Sequence, residues 1–418
     1  MTKKLDTTFI QIVHPVCCGL DVHKKKISAC LITVDEQGNE QSEIKEFGTF
    51  TNELLEMRKW LTKNNCPILA MESTGVYWRP VHNVLEGFME VTLVNARHIK
   101  NVPGRKTDIS DSKWLASLLR HGLLKNSYIP PKEIRQWREL TRLRRTYTES
   151  LADYKRRIHK LFETANIKID SVVSDLFGVT GRNLIFLLCN ESELSLAKIK
   201  ENAKRGLKAK SEELHRSIQG FFEDHHRFQL IGMMEMITLF EKRISEITER
   251  IETLTAKHQN LLDRLDEIPG IDKKSAQSIV SEIGVTLDEF ICMAALASWA
   301  GLCPGNNESG GKRKSGRTSV RSHPFKTILV EVAWAAVKKK GSYYRAKYYK
   351  LKARRGAKKA IVAIAHRISK AIYNIIKHGE TFMDLGEDYL NVQTKQRAIN
   401  NIKKRAKQLG YELVPCEN

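Results

Sequence analysis

The chain has 418 residues, enough for two or three domains and at least one large core. Its formal charge is +22, with a pI near 9.6, and residues 301–418 hold 26 Lys and Arg against 8 Asp and Glu, an asymmetry that points to a nucleic-acid partner rather than to general solubility. The eight cysteines form no CxxC pair, the N-terminus has no apolar signal-like core, and no apolar run approaches the ~18 residues that span a bilayer; zinc ribbons, disulfide scaffolds, secreted proteins and membrane proteins are thereby excluded, and a reducing, cytoplasmic protein is expected.

In chain order, Val16–Val22 reads as a strand, the HKKK turn follows, and Ile27–Val34 reads as a second strand. A third strand is expected around Ile44–Phe50, then a helix over Thr51–Asn64 capped by Thr51 or Asn52. Pro67–Glu72 is apolar enough for a central strand. Val76–Gly87 reads as a helix, Glu90–Asn95 as a fifth strand and Asp108–His121 as an amphipathic helix. The set predicts a mixed α/β sheet.

Four carboxylates stand out on these elements. Asp21 and Glu72 each end an apolar, strand-like run, and Asp108 and Asp111 open the amphipathic helix, three residues apart. Carboxylates at strand ends facing two more on a helix make an all-oxygen site for Mg²⁺. Such metals can clamp a phosphodiester during strand cleavage.

Beyond Pro130–Pro131 the chain becomes helical. Lys132–Ala165 is long and Arg-rich, and residues 166–235 give weaker helical signals. Apolar residues at 237, 240, 244, 247, 251, 254, 261, 265 and 268, with His258 the one polar seam position, predict a coiled coil serving self-association or an internal helical hairpin. Residues 268–284 (IPGIDKKSAQSIVSEIG) suggest a helix-hairpin-helix, with backbone N–H groups offered to phosphate or with packing as its only purpose.

The loop GNNESGGKRKSGRT (305–318) is Gly-rich and basic. Ser309 precedes Gly310-Gly311 and the cations Lys312, Arg313, Lys314 and Arg317, a setting in which a hydroxyl could attack a phosphodiester; Ser315, Ser319 and Ser322 are rivals. Downstream, KKKGSYYRAKYYKLKARRGAKK (338–359) interleaves cations with tyrosines, so Tyr343, Tyr344, Arg345, Lys347, Arg354 and Arg355 are expected to touch nucleic acid. His366, on the amphipathic helix 360–376, is expected to be structural.

Taken together, GLDVHKKK, ESTGVYW, KTDISDSKWLASLLRHG and LASWAGLCPGNNESGGKRKSG resemble the bacterial insertion-sequence transposases that join an N-terminal DEDD domain to a C-terminal serine transposase domain, related to the Piv invertases. The resemblance covers roughly residues 16–165 and 235–380. It implies a RuvC-like (ribonuclease H-like) α/β domain over 1–130, a helical linker or insert over 131–235, a coiled coil over 236–268, a mainly α serine transposase domain over 269–380 and a basic tail over 381–418. It further implies Asp21, Glu72, Asp108 and Asp111 as Mg²⁺ ligands and Ser309 as nucleophile, with Ser315 the fallback. The partners implied are donor and target DNA, a structured noncoding (bridge) RNA encoded in the element's flank, and further copies of the chain, as dimers and a synaptic tetramer. The setting implied is bacterial, cytoplasmic and nucleoid-associated. A junction-resolvase-type endonuclease would need the four carboxylates and no serine, and a degenerate binding protein would bind without cutting.

Overall fold

The computed structural model describes residues 11–35, 39–73, 75–95, 110–191, 193–305, 307–310, 312–315, 318 and 323–412. The chain divides into two compact units, Met1–Ile129 and Pro130–Asn418.

In the first unit, β1 (Cys17–Val22), β2 (Lys26–Val34) and β3 (Glu40–Gly48) form an antiparallel meander. The chain continues through α1 (Thr51–Lys63), β4 (Ile68–Glu72), α2 (Trp78–Leu85), β5 (Glu90–Val94) and α3 (Asp111–Arg120). Among the described residues the sheet order is β3-β2-β1-β4-β5, with β4 parallel to both β1 and β5. Alternation along β1, β2 and β4 supplies two apolar faces. Leu20, Val22, Ile27, Leu69 and Met71 pack with Leu54, Met57 and Leu61 of α1 and Val81 and Leu85 of α2. Cys17, Cys30, Ile32, Ile68 and Ala70 pack with Leu115, Ala116, Leu118 and Leu119 of α3. The third strand begins four residues before its expected start. Ladder pairing with nine residues of β2 recruits the polar stretch Glu40–Glu43, which carries no apolar signal, and a charged edge strand also discourages edge-to-edge association. The cap of α1 is Phe50 rather than Thr51 or Asn52.

In the second unit, α4 (Lys132–Thr164) is followed by the short helices α5 (Ile169–Val172), α6 (Val179–Asn190), α7 (Leu196–Asn202) and α8 (Ser211–Ser217), then by α9 (Asp224–Thr255). α4 and α9 lie antiparallel: Tyr154 and Tyr147 meet Phe240, while Trp137 stacks on His258. The seam at 237, 244, 247 and 251 is therefore filled by α4 of the same chain. The heptad does not run on to 268, because a 3-10 turn at Ala256–His258 breaks the helix where the seam turns polar. The internal hairpin, not a continuous coiled coil over 236–268, is what the seam builds. Residues 166–235 are not a bare linker. Ile169, Leu176, Leu184, Ile185, Leu188, Ile199 and Leu214 form a core with Ile158 and Phe162 of α4 and Leu230 and Ile237 of α9.

α10 (Gln259–Asp266) and α11 (Lys273–Ile283) flank the Pro269–Gly270 turn. α12 (Met293–Trp299), β6 (Asn307–Ser309), β7 (Lys312–Ser315), α13 (Pro324–Ala336), α14 (Tyr343–Arg355), α15 (Ala357–His378) and α16 (Tyr389–Gln408) complete the unit. Gly270 has φ +89, and a Cβ there would meet the Val332 carbonyl oxygen at 2.4 Å and the Ala336 nitrogen at 2.6 Å. Asp272 caps α11 by accepting from the Ser275 N–H at 2.9 Å. The hairpin glycine is thus occupied by packing against α13, and Asp272 by helix capping. Among the described residues no helix is long and apolar enough to cross a membrane.

The arginines of α4 bolt it to α11. Arg138 donates to the Ser281 and Glu282 carbonyl oxygens, both at 2.8 Å, closing the last turn of α11. Arg142 forks onto the buried Glu282 carboxylate at 2.7 and 2.8 Å. Replacing Arg142 with Ala leaves that carboxylate buried without its main partner and is expected to lower unfolding free energy by about 2–3 kcal/mol, read by denaturant titration. Gly19→Ala is expected to be worse. Its Cβ would fall 2.1 Å from the Ser112 carbonyl oxygen and 2.4 Å from the Ala116 nitrogen, both main chain. Loss of the cooperative transition of the first unit in a calorimetric scan is the predicted result.

Candidate functional site

β1 and β4 are parallel neighbours with Leu20 opposite Met71. One residue further, Asp21 and Glu72 stand side by side at the C-terminal ends of adjacent strands, about 4.8 Å apart at the backbone. Leu20, Val22 and Met71 point into the core beneath α1 and α2, so Asp21 and Glu72 face the other side, which α3 covers. Asp111 is the first residue of α3, whose cap Ser110 accepts from the Lys113 N–H at 3.3 Å. The Ser112 hydroxyl lies 3.2 Å from that of Ser28, and Ser28 is the cross-strand partner of Asp21. The first turn of α3 is thereby held over the register of Asp21. An acidic residue there is also favoured by the positive end of the helix dipole. Asp108 lies outside the described residues.

Asp21 and Glu72 are half-buried and Asp111 is exposed. Their ligand atoms do not all lie within 4.8 Å of one another. Among the described residues that spacing is met by Glu223, His225 and His226 at the start of α9, where the His226 Nδ1 already accepts from the Glu223 N–H. An all-oxygen donor set of this kind fits a hard divalent cation such as Mg²⁺. His23 was not among the residues singled out in the sequence. Its Nε2 lies 3.1 Å from the Asp21 Oδ2, and the spacing of two along a strand was the available signal. The thiols at the other ends of these strands are small hydrophobes: burial pushes Cys17 up to about 12 and Cys66 up to about 11, far from a reactive thiolate.

The 305–318 loop is a hairpin over part of its length. β6 and β7 pair antiparallel, with Ser309 opposite Lys312, Asn307 opposite Ser315, and an irregularity between Asn307 and Glu308. Ser309 is the last residue of β6, and Gly310 takes φ +58, the left-handed conformation that tight hairpin turns need. Lys312, Arg313 and Lys314 are consecutive on β7. Arg317, Ser319 and Ser322 lie outside the described residues.

On α14 the tyrosine expectation is corrected. Tyr343 and Tyr344 are buried. Tyr344 stacks on Phe382, Tyr343 meets Tyr389 edge-on, and the Tyr343 N–H donates to Asp384 at 3.0 Å. Their faces are covered by the segment after α15, so they are not open to a base. The exposed ring is Tyr349, 52 % accessible, with Arg345 and Lys352 lying over it at 5.6 and 5.8 Å. Lys347 is half-buried, and Arg354 and Arg355 are exposed at the C-terminal end of α14.

Two family models match the sequence. The first, a transposase model of the DEDD type for IS110, covers residues 18–167. The second, described as transposase of the IS116/IS110/IS902 family, covers residues 262–350. The chain carries the two domains of an IS110-family transposase. The first match contains Asp21, Glu72, Asp108 and Asp111, and the second contains the β6–β7 hairpin and most of α14. Residues 168–261 lie between the two matches. Among solved structures, RuvC of Thermus thermophilus is 12 % identical, covering 27 % of this chain and 99 % of that one with a TM-score of 0.21. No curated protein matches the sequence.

The two kinds of tyrosine on α14 separate experimentally. Tyr344→Ala is expected to remove about 3 kcal/mol of stability through the cavity it leaves. Tyr349→Ala should leave the melting temperature unchanged while weakening DNA binding several-fold in fluorescence anisotropy.

Proposed function

We propose that this transposase cuts and exchanges DNA strands through a covalent serine–DNA link, with Mg²⁺ held by Asp21, Glu72, Asp108 and Asp111 and Ser309 as the attacking group. The observation that carries the reading is the pairing of Asp21 and Glu72 at the ends of adjacent parallel strands, on the face led by Asp111 of α3. A bound Mg²⁺ would supply Lewis-acid stabilisation of charge on the phosphate oxygens. The acidic residues hold and orient that centre, and the half-buried strand positions keep Asp21 and Glu72 from swinging away.

The Ser309 hydroxyl loses its proton as its oxygen forms a bond to phosphorus. The 3′-oxygen leaves and takes up a proton, so one phosphodiester replaces another. Attack by the 3′-hydroxyl of a partner strand reverses the step and releases Ser309, and no ATP is needed. Lys312, Arg313 and Lys314 follow Ser309 on the same hairpin, where they suit the developing charge. The exposed cations of α14, Arg354 and Arg355, hold flanking phosphates. The resemblance adds the remaining parts of the reading: a bridge RNA that pairs with donor and target DNA, dimers, and a tetramer at synapsis. Protein then reads backbone shape and RNA reads sequence. A metal-only endonuclease is the second reading, favoured by the fact that the acidic set is complete within residues 18–167 without Ser309.

Denaturing electrophoresis separates them. Purified protein is incubated with Mg²⁺, flank RNA and labelled donor and target DNA. Wild type should give a protein-linked DNA band that Ser309→Ala abolishes, and Asp21→Asn should lose cutting while retaining RNA binding. Free cleavage products from both wild type and Ser309→Ala, with no linked band, would replace the serine mechanism by the metal-only one.

A further inference from the structure

The sheet end that carries Asp21 and Glu72 presents a second group of side chains. β1 passes to β2 through a tight turn closed by the His23 N–H donating to the Lys26 carbonyl oxygen at 3.0 Å. Lys24 and Lys25 are exposed on it. β3 ends alongside: Gly48 pairs with Lys26, and the Thr49 hydroxyl donates to the Lys24 carbonyl oxygen at 3.1 Å. The next residue, Phe50, is 77 % exposed.

Phe50 is the wrong residue type for its position if folding alone chose it. It is the cap of α1, with extended φ −71 and ψ 155 and no side-chain cap hydrogen bond. Ser, Thr, Asp and Asn are preferred there because their oxygens accept from the first turn. The other half of a capping box is in place, since the Glu53 carboxylate accepts from the Phe50 N–H at 2.9 Å. Phenylalanine leaves the helix start without its acceptor and puts an aromatic ring in water, and both features oppose stability.

We propose that Phe50, flanked by Lys24 and Lys25, is a stacking platform for an unpaired base of the DNA strand that enters the Asp21–Glu72 site. Two strand spacings separate β3 from β1, about 10 Å across the sheet, or roughly three stacked nucleotides. An exposed ring takes the face of any base, and two lysines beside it complement the phosphates on either side. The same turn carries His23, whose Nε2 lies 3.1 Å from the Asp21 Oδ2. The inference rests on the reading of the acidic site as the place where DNA is cut, and it commits to DNA because the strand on the platform is the one whose phosphate the acids hold.

The test uses the full chain, Ca²⁺ in place of Mg²⁺, and a forked duplex with 2-aminopurine in its unpaired arm. Wild type should change the 2-aminopurine emission. Phe50→Ser should abolish that change and weaken binding about tenfold, yet raise the melting temperature, because serine caps α1. Phe50→Trp should restore the emission change. Lys24→Ala with Lys25→Ala should keep the emission change and reduce the magnitude of the salt slope by about 1.4, as expected for two lost single-strand phosphate contacts. Wild-type emission and affinity for Phe50→Ser would overturn the proposal, and so would a fall in its melting temperature, which would make Phe50 structural. A binding defect confined to a single-stranded RNA of the same sequence would overturn the assignment to DNA. Emission changes that follow Phe50 in a protein that never cuts DNA with Mg²⁺ would remove the nuclease reading and leave the platform standing.

Discussion

The first unit depends on a main-chain contact that tolerates no side chain. The Ser112 carbonyl oxygen of α3 lies where a Cβ of residue 19 would be, so β1 carries glycine at its centre and α3 settles directly on the strand. That contact fixes two things at once. It brings the first turn of α3, and with it Asp111, over the strand that carries Asp21. It also pins the register of β1, since a slip by one residue would turn Asp21 toward the core beneath α1 and α2. The positions of the acidic residues are set by backbone packing and by the β1–β4 ladder, and only secondarily by side-chain contacts. A site that must hold several negative charges together gains from such a frame, because repulsion is resisted by elements that cannot move independently.

Much of this arrangement was legible because a charged residue at the end of a buried apolar run is costly unless it is used. Asp21 and Glu72 were readable on that ground, and the opening of α3 was marked by its polar start and apolar period. What could not be read was the partner of each surface. The seam of α9 is narrow and regular, which says that one helix covers it and not which one. The residues of α4 that meet it, Tyr147 and Tyr154 against Phe240, lie in a stretch dense with arginine that does not advertise itself as half of a helix pair. The tyrosines of α14 failed for a related reason. Cations surround them on every side in the sequence, and the residues that bury Tyr343 and Tyr344 arrive 38 to 46 positions later, as Phe382, Asp384 and Tyr389. The sequence pointed to Tyr343 and Tyr344, and tertiary packing buries both while leaving Tyr349 exposed.

Charge in this protein has two distinct uses. On α4, Arg138, Arg142 and Arg144 are spent on carbonyl oxygens, a buried carboxylate and the Gln277 side chain of α11. Their role is to join helices, and planar guanidinium groups suit it better than ammonium groups. On and before α14, Lys338–Lys340, Arg354 and Arg355 are exposed and remain available to phosphate. Counting basic residues along the chain merges these uses, while burial and hydrogen-bond partners separate them.

The distribution of charge also bears on how a strand reaches the acidic residues. A cluster of carboxylates repels the polyanion it is built to handle, and a cation bound among them offsets only the local part of that repulsion. Residues 1–300 carry a net charge of only +4, against +18 for the rest of the chain. Long-range attraction must therefore come mostly from the C-terminal third, and it weakens as salt is added. Final placement at the sheet end must come from short-range contacts, of which stacking on an aromatic ring is the part least sensitive to salt. Lys24, Lys25 and an exposed aromatic ring are the residue types suited to that last step. On the proposed reading, association and positioning fall to different parts of one chain, with binding strength more sensitive to ionic strength than the geometry of the strand at the acidic site.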